Sequence, residues 1–129
     1  TNIMLKGNVT KGLDAARFFL SLGGYKVAIE ELLGTEAYPG TLNLRVNPKE
    51  KDAFLKTLKK YSLPGFFFEG KRYFSVTAYK VEIKDTQCLL IVPRMTKHGP
   101  DIVEVLSKNK LRTELKLKEG DSVTIKKSF

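Results

Sequence analysis

The spacing of apolar residues changes several times along the chain, and each spacing predicts a different element. Apolar and polar residues alternate over residues 41–46, which predicts a strand with one buried face. Residues 3–10, the apolar run 87–92 and residues 122–127 are also predicted as strands. Between residues 25 and 33 the apolar positions instead recur at helical spacing, and Gly34 follows as a helix stop. Asn47-Pro48-Lys49-Glu50 resembles a capping box with proline at the first helical position. It predicts a second helix that carries Phe54, Leu55, Leu58 and Tyr61 on one face and ends before Pro64.

Further strands are predicted around short turns. Phe66-Phe67-Phe68, the turn candidate Glu69-Gly70 and residues 72–83 predict a β-hairpin with a long second arm, and residues 17–20 a short strand. Turns are also expected at residues 84–86 and 119–121. Six or more regularly spaced strands in a small domain favour a mainly β fold, a six-stranded β-barrel with short flanking helices. We expect residues 1–129 to form a single domain.

Residues 38–46 combine a turn, a strand and two neutral oxygen ligands. Pro39-Gly40 interrupts the chain, and the alternation that follows places Thr41, Asn43 and Arg45 on the face opposite to the apolar side chains. A hydroxyl and an amide carbonyl two residues apart suit a hard cation such as Mg2+ whose charge is balanced by substrate phosphates. An ordinary half-buried strand would show the same alternation, so that alternative stays open.

Composition excludes several kinds of chemistry. The chain has one cysteine, Cys88, within an apolar run, and one histidine, His98. These counts exclude a disulfide framework, most His/Cys metal sites and the usual nucleophile triads, and we interpret Cys88 as a core residue. No apolar stretch approaches the ~20 residues that a membrane helix needs, and no signal peptide is evident, so we expect a cytoplasmic protein without a membrane partner.

The net charge indicates an anionic partner. Lys and Arg number 23 against 14 Asp and Glu, a formal charge of +9. The lysines are scattered, however, and they do not alternate with aromatic residues as a platform for stacked bases requires. This argues against nucleic acid, whereas a phosphorylated small molecule would use only a few of the charges.

Three further segments are candidates for barrel loops. Residues 11–17 follow a strand and carry a glycine between two cations, which suits a phosphate-binding loop or a plain turn. Residues 93–100 are rich in hydrogen-bonding groups. In residues 101–106, Glu104 fits a capping box begun by Asp101, but the β-branched residues favour a strand. Glu104 would then share a partly apolar face with Ile102 and Leu106, where a carboxylate needs a partner or a function.

The order of these motifs resembles one known family. It is carried by Gly12-Leu13 to Arg17, Pro39-Gly40-Thr41-Leu42-Asn43, Pro93-x-x-Thr96-x-His98, Glu104, Leu111-Arg112 and Gly120-Asp121-x-Val123. Together they span nearly the whole chain and resemble the archaeal CTP-dependent riboflavin kinases. The resemblance implies a six-stranded cradle-loop barrel that transfers the γ-phosphate of CTP to the ribityl 5'-hydroxyl of riboflavin, giving FMN and CDP, with Mg2+. We expect a monomer, although the sequence itself leaves the oligomeric state open.

The resemblance also implies roles for individual residues. A nucleotide-binding loop would comprise Gly12, Leu13, Asp14, Ala15, Ala16 and Arg17, and a second nucleotide-binding segment Asn109, Lys110, Leu111 and Arg112. Thr41 and Asn43 match the Mg2+ ligands, and Thr96 and Glu104 match the residues that contact the flavin. On chemical grounds Glu104 could orient the ribityl hydroxyl and accept its proton, which makes it the candidate catalytic residue.

One loop departs from the family pattern. The family sequence Gly-Leu-Gly-x-Gly is replaced here by Gly12-Leu13-Asp14-Ala15-Ala16. A side chain at a left-handed glycine position would cost ~1 to 2 kcal/mol, and Asp14 adds negative charge near a triphosphate. Two alternatives therefore stay open beside the kinase: a barrel that binds flavin or nucleotide without catalysis, and a basic barrel that binds nucleic acid.

Overall fold

The computed structural model describes residues 4–11, 23–93 and 100–128, and the structural statements below concern those residues. Nine strands are described: β1 Met4–Thr10, β2 Leu42–Val46, β3 Tyr61–Leu63, β4 Phe66–Phe68, β5 Lys71–Tyr73, β6 Val76–Ile83, β7 Thr86–Pro93, β8 Ile102–Leu106 and β9 Ser122–Lys127. Three helices accompany them in these ranges: α1 Gly23–Leu33, α2 Pro48–Lys56 and α3 Leu111–Glu114. The strand expected over residues 17–20 lies outside the described residues.

Six of the strands close into an antiparallel barrel in the order β6-β7-β8-β2-β1-β9. The closing contact joins β6 to β9, with Val81 opposite Lys127 and Glu82 opposite Lys126. The short strand β3 pairs with the other end of β6, beyond this contact. The predicted mainly β, six-stranded barrel with short helices is therefore confirmed.

The barrel interior is filled by apolar side chains at alternate positions of the six barrel strands. Leu42, Leu44 and Val46 of β2 point inward, as their spacing predicted, and Phe54 of α2 packs among them with no exposed surface. The other buried members of this cluster are Leu5, Val9, Leu58, Tyr79, Val81, Ile83, Cys88, Leu90, Val103, Val105, Leu111, Leu117, Val123 and Ile125. Burial of this apolar surface supplies the main driving force for closing the barrel.

A second apolar cluster lies on the outer face of the barrel beneath α1. Tyr25 and Ile29 of the helix are buried there against Leu89, Ile91 and other residues of the sheet. The helix ends as predicted, because Gly34 adopts a left-handed conformation (φ 76°) and its N–H donates to the Glu30 carbonyl at 2.8 Å. The outer face of the barrel therefore carries an apolar region, and α1 covers it.

The α2 helix begins as predicted but ends earlier. The Asn47 side chain accepts hydrogen bonds from the N–H groups of Lys49 and Glu50, and proline follows at the first helical position. The helix stops at Lys56, whereas the sequence prediction extended it through Tyr61. Tyr61 instead begins β3 and pairs with Ala78 of β6. Its helical spacing was misleading because pairing with a distant strand outweighs a weak local preference.

The predicted hairpin is also corrected. Its turn is as expected, with positive φ at Glu69 (50°) and Gly70 (74°), the geometry of a two-residue hairpin turn. The long second arm is wrong, however, because β5 and β6 belong to different sheets. The chain bends between them, where a Cβ on Gly65 would come within 2.5 Å of the Tyr73 carbonyl oxygen, so only glycine permits this close backbone approach.

Replacing Asn47 with alanine should lower the free energy of unfolding by about 1 kcal/mol, because two N–H groups at the start of α2 lose their acceptor. Chemical denaturation measures this difference. The matched control is Asn47→Asp, which keeps a capping oxygen and should retain most of the stability. Equal losses in both variants would contradict the capping role.

Candidate functional site

The register of three adjacent strands brings a row of polar residues together on the outer face of the barrel. Asn43 on β2 lies directly opposite Thr10 on β1 and directly opposite Glu104 on β8. Residues directly opposite each other in an antiparallel pair share a face, and their Cβ atoms lie ~5 Å apart. Thr10 and Glu104, which are far apart in the sequence, therefore flank Asn43.

Thr41 joins this row through a hydrogen bond. It lies two residues before Asn43, on the same side of the chain, and its hydroxyl donates to Glu104 Oε1 at 3.0 Å. A hydroxyl, an amide and a carboxylate thus meet at one point, which we call the polar cluster: Thr41, Asn43 and Glu104. The predicted strand for residues 101–106 is confirmed, and Glu104 shares its face with Leu106, which is buried in the outer apolar cluster.

The polar cluster is buried. Asn43 is 6% exposed and Glu104 8% exposed. Within the described ranges, Asn43 Oδ1 has no hydrogen-bond donor although it is shielded from solvent. A buried acceptor without a partner costs ~1 to 3 kcal/mol, so this oxygen is expected to have a partner in the functional state.

These oxygens fit a Mg2+ ion. The Asn43 amide oxygen is a ligand type that Mg2+ accepts, and it is not engaged by any described donor. The Thr41 hydroxyl gives its only hydrogen to Glu104, so its two lone pairs point elsewhere. Among the described residues, His, Cys, Asp and Glu side chains form no group of three that could hold a metal. A cation here would therefore rely on neutral protein ligands and on the charge of its substrate.

The first candidate nucleotide loop follows β1 and Lys11 in the sequence. Residues 12–17 lie outside the described residues, and Thr96, the second candidate flavin contact, does too. The exposed residue Lys11 is described, and it directly follows Thr10, the neighbour of Asn43. The chain therefore enters the loop beside the polar cluster.

The second candidate nucleotide segment follows β8. Asn109 and Lys110 are exposed and Arg112 is partly exposed. Leu111 differs from them, because its side chain is 3% exposed and belongs to the barrel interior. A contact between Leu111 and a nucleotide would have to come from its main chain.

Two polar residues were missed by the sequence analysis. One is Thr10, opposite Asn43. The other is Ser107, which follows β8 and whose hydroxyl is buried without a partner among the described residues. The Ser107 carbonyl accepts from the Tyr38 N–H at 2.9 Å and so holds the end of β8 beside the approach to β2. Neither residue carries a motif, and Thr10 could have been identified only from the strand register.

Cys88 is a core residue, as predicted. Its thiol lies in the barrel interior and donates to the Thr86 carbonyl at 3.2 Å. Burial raises the pKa of the Cys88 thiol to about 12. The thiol therefore stays protonated near neutral pH and is a poor nucleophile.

Fold and site together define a class of protein: a small antiparallel barrel with a buried polar cluster of neutral oxygens and a carboxylate on its outer face. The family model for the CTP-dependent riboflavin kinase domain, described as "Domain of unknown function DUF120", matches residues 9–126. The chain belongs to this family. The family resemblance is thus confirmed, and the family supports the interpretation of the chain as a kinase.

Curated relatives agree with the family. The riboflavin kinase of Ignicoccus hospitalis is 40% identical over 125 residues, which are 95% of this chain and 70% of that protein. The riboflavin kinase of Pyrobaculum islandicum is 37% identical and that of Archaeoglobus fulgidus 38% identical. These matches cover 96% and 95% of this chain but 60% and 54% of the relatives. The chain thus spans a little over half to about two thirds of the length of these proteins.

None of the helices in the described ranges is both long and apolar enough to cross a bilayer.

The Cys88 thiol should react with a thiol reagent far more slowly in the folded protein than in the unfolded protein. Its folded pKa of about 12 exceeds the ordinary value of 9.0, so at intermediate pH only the unfolded chain loses the proton. The unfolded state then binds fewer protons, and the stability contributed by this group falls as pH rises through that window. Denaturation at about pH 8 and pH 10 should show this fall, and Cys88→Ala should reduce it. An identical pH dependence in the variant would contradict the assignment.

Proposed function

We propose that this domain is a riboflavin kinase that transfers the γ-phosphate of CTP to the terminal ribityl hydroxyl of riboflavin, giving FMN and CDP, with Mg2+. The observation that carries the proposal is the polar cluster, in which an unpartnered amide oxygen of Asn43 lies beside the hydrogen-bonded pair Thr41 and Glu104. Family membership supports the kinase, and the name of the family model supports CTP as the donor.

The site needs to align two substrates and neutralise charge, because phosphoryl transfer passes through a loose transition state with little covalent chemistry for the protein. Mg2+, when bound, would neutralise charge on the phosphate oxygens. Thr41 and Asn43 would hold it through neutral oxygens, so we expect weak metal binding without the nucleotide. Additional positive charge is available from Lys11 and from Lys110 and Arg112 of the second nucleotide segment.

Glu104 is the proposed acceptor residue. A carboxylate has two oxygens with about four acceptor sites, so accepting the Thr41 hydroxyl does not exhaust its capacity. The terminal ribityl hydroxyl would donate to Glu104 and be oriented for in-line attack on the γ-phosphorus. The new oxygen–phosphorus bond forms as the bond to the β-phosphate oxygen breaks. The hydroxyl proton passes to Glu104, and the electron pair of the broken bond remains on CDP.

Nucleotide recognition is proposed for two segments. Gly12, Leu13, Asp14, Ala15, Ala16 and Arg17 would form the first, and Asn109, Lys110, Leu111 and Arg112 the second. Arg112 and Lys110 are accessible for phosphate contacts, whereas Leu111 would contribute only its main chain. Thr96 would contact the flavin together with Glu104.

Incubating the protein with riboflavin and Mg2+, and with CTP, ATP, GTP or UTP in separate reactions, should give FMN chiefly with CTP. Chromatography with fluorescence detection separates the two flavins. FMN formed mainly with another nucleotide would support the kinase reaction but contradict CTP as the phosphate donor. It would indicate that Asp14, Ala15 and Ala16 have changed the nucleotide preference. Binding of riboflavin or CTP without FMN from any donor would overturn the enzyme and leave a binding module.

Glu104→Gln should lower turnover by about 100-fold or more, with a much smaller effect on riboflavin affinity, because it removes the acceptor of the hydroxyl proton. Thr41→Ala should raise the Mg2+ concentration needed for half-maximal rate. Steady-state kinetics over a Mg2+ series, with flavin fluorescence titrations, measure both effects. The matched control is Glu69→Gln on the exposed turn of the hairpin, which should behave as wild type. An unchanged turnover in Glu104→Gln would remove Glu104 from the mechanism.

A further inference from the structure

One hydrogen bond links the two halves of the proposed reaction site. Thr41 is the proposed cation ligand and Glu104 the proposed acceptor residue, and the Thr41 hydroxyl donates to Glu104 Oε1 at 3.0 Å. If Thr41 only held the cation and Glu104 only oriented the hydroxyl, the two side chains would not need to be in contact. Their contact implies that one of them also acts through the other.

The backbone holds this contact in place. On β2 and β8, Leu42 lies opposite Val105 and Asn43 opposite Glu104, so the register fixes where Thr41 meets β8. Glu104 is 8% exposed, and water competes weakly for a hydrogen bond in such a position. The pair is therefore positioned before any ligand binds.

The direction of the hydrogen bond determines what the Thr41 oxygen can do. A hydroxyl has one hydrogen and two lone pairs, and this hydrogen is directed to a carboxylate. The lone pairs are therefore turned away from Glu104 and are free to coordinate a cation. A carboxylate bonded to the far side of a ligand also makes that ligand more basic, as carboxylates do behind metal-binding histidines.

We propose that Glu104 is a positioning residue for the cation site, acting through Thr41, in addition to its role toward the acceptor hydroxyl. This inference rests on the proposed function, because it uses the same cation and nucleotide. Its consequence is that a change at Glu104 alters metal-dependent CTP binding even when no riboflavin is present. A residue that only orients riboflavin would not do so.

The test measures CTP affinity by calorimetry without riboflavin, once with Mg2+ and once with a chelator, and uses the ratio of the two affinities. Mn2+ binding followed by electron paramagnetic resonance, in the presence of CTP, is a second readout. Glu104→Leu removes both the charge and the acceptor, whereas Glu104→Gln keeps an acceptor oxygen. The control Asp101→Asn removes a carboxylate near the start of β8 that pairs with Arg45 rather than with Thr41. Thermal denaturation checks that each variant is folded.

We expect Glu104→Leu to reduce the metal-dependent gain in CTP affinity by about 10-fold or more, and Glu104→Gln to reduce it less. Affinity measured with the chelator should change little, and Asp101→Asn should keep the wild-type gain. In a Thr41→Val background, Glu104→Gln should have almost no further effect, because the residue through which it acts is gone. Should Glu104→Leu not fold, Glu104→Gln in the two backgrounds provides the same comparison.

Two results would overturn the inference alone. The first is a wild-type metal-dependent gain in both Glu104 variants, together with FMN formation by the wild-type protein. The second is an equal loss for Glu104→Gln with and without Thr41→Val, which would show that its charge acts independently of Thr41. Absence of CTP binding by the wild-type protein would instead overturn the CTP-dependent function together with this inference.

Discussion

β2 is hydrogen bonded on both edges, to β1 and to β8, and this double pairing decides which side chains meet on each face of the barrel. A shift of one residue in either pairing would turn Leu42, Leu44 and Val46 outward and bury Asn43 in the interior. The apolar interior therefore fixes the register, and the register in turn places Asn43 between Thr10 and Glu104. The polar cluster is a consequence of how the core packs.

The polar cluster departs from the usual rules of burial. Most of the buried residues in the described ranges are apolar, but Asn43 and Glu104 are also buried, and Asn43 Oδ1 lacks a donor there. Burying these polar groups lowers the stability of the protein, and proteins retain such groups where they have a function. The adjacent outer cluster under α1 contributes apolar surface beside it, including Ile91, which lies opposite Glu104.

The errors in the sequence analysis have a common cause. Tyr61 has helical spacing from Phe54 and Leu58 but lies in β3, and residues 72–83 were predicted as one arm of a hairpin but form parts of two strands in different sheets. In both places the deciding contact is with a segment distant in sequence, β6 or the backbone at Gly65. Local periodicity contains no information about such partners. Elements whose signals are local, such as the Asn47 cap and the Gly34 stop, were predicted correctly.

The sequence by itself determined the mainly β class, the barrel, the inward face of β2 and, through the order of its motifs, the family. These follow from alternation, turn residues and caps, which act over a few residues. It also named Thr41, Asn43 and Glu104, but not how they are arranged. Only the tertiary structure decided that Asn43 faces Glu104, that Thr41 donates to it, and that Leu111 belongs to the core. Register and closure depend on packing the whole interior at once, so contacts between distant strands exist only in the folded chain.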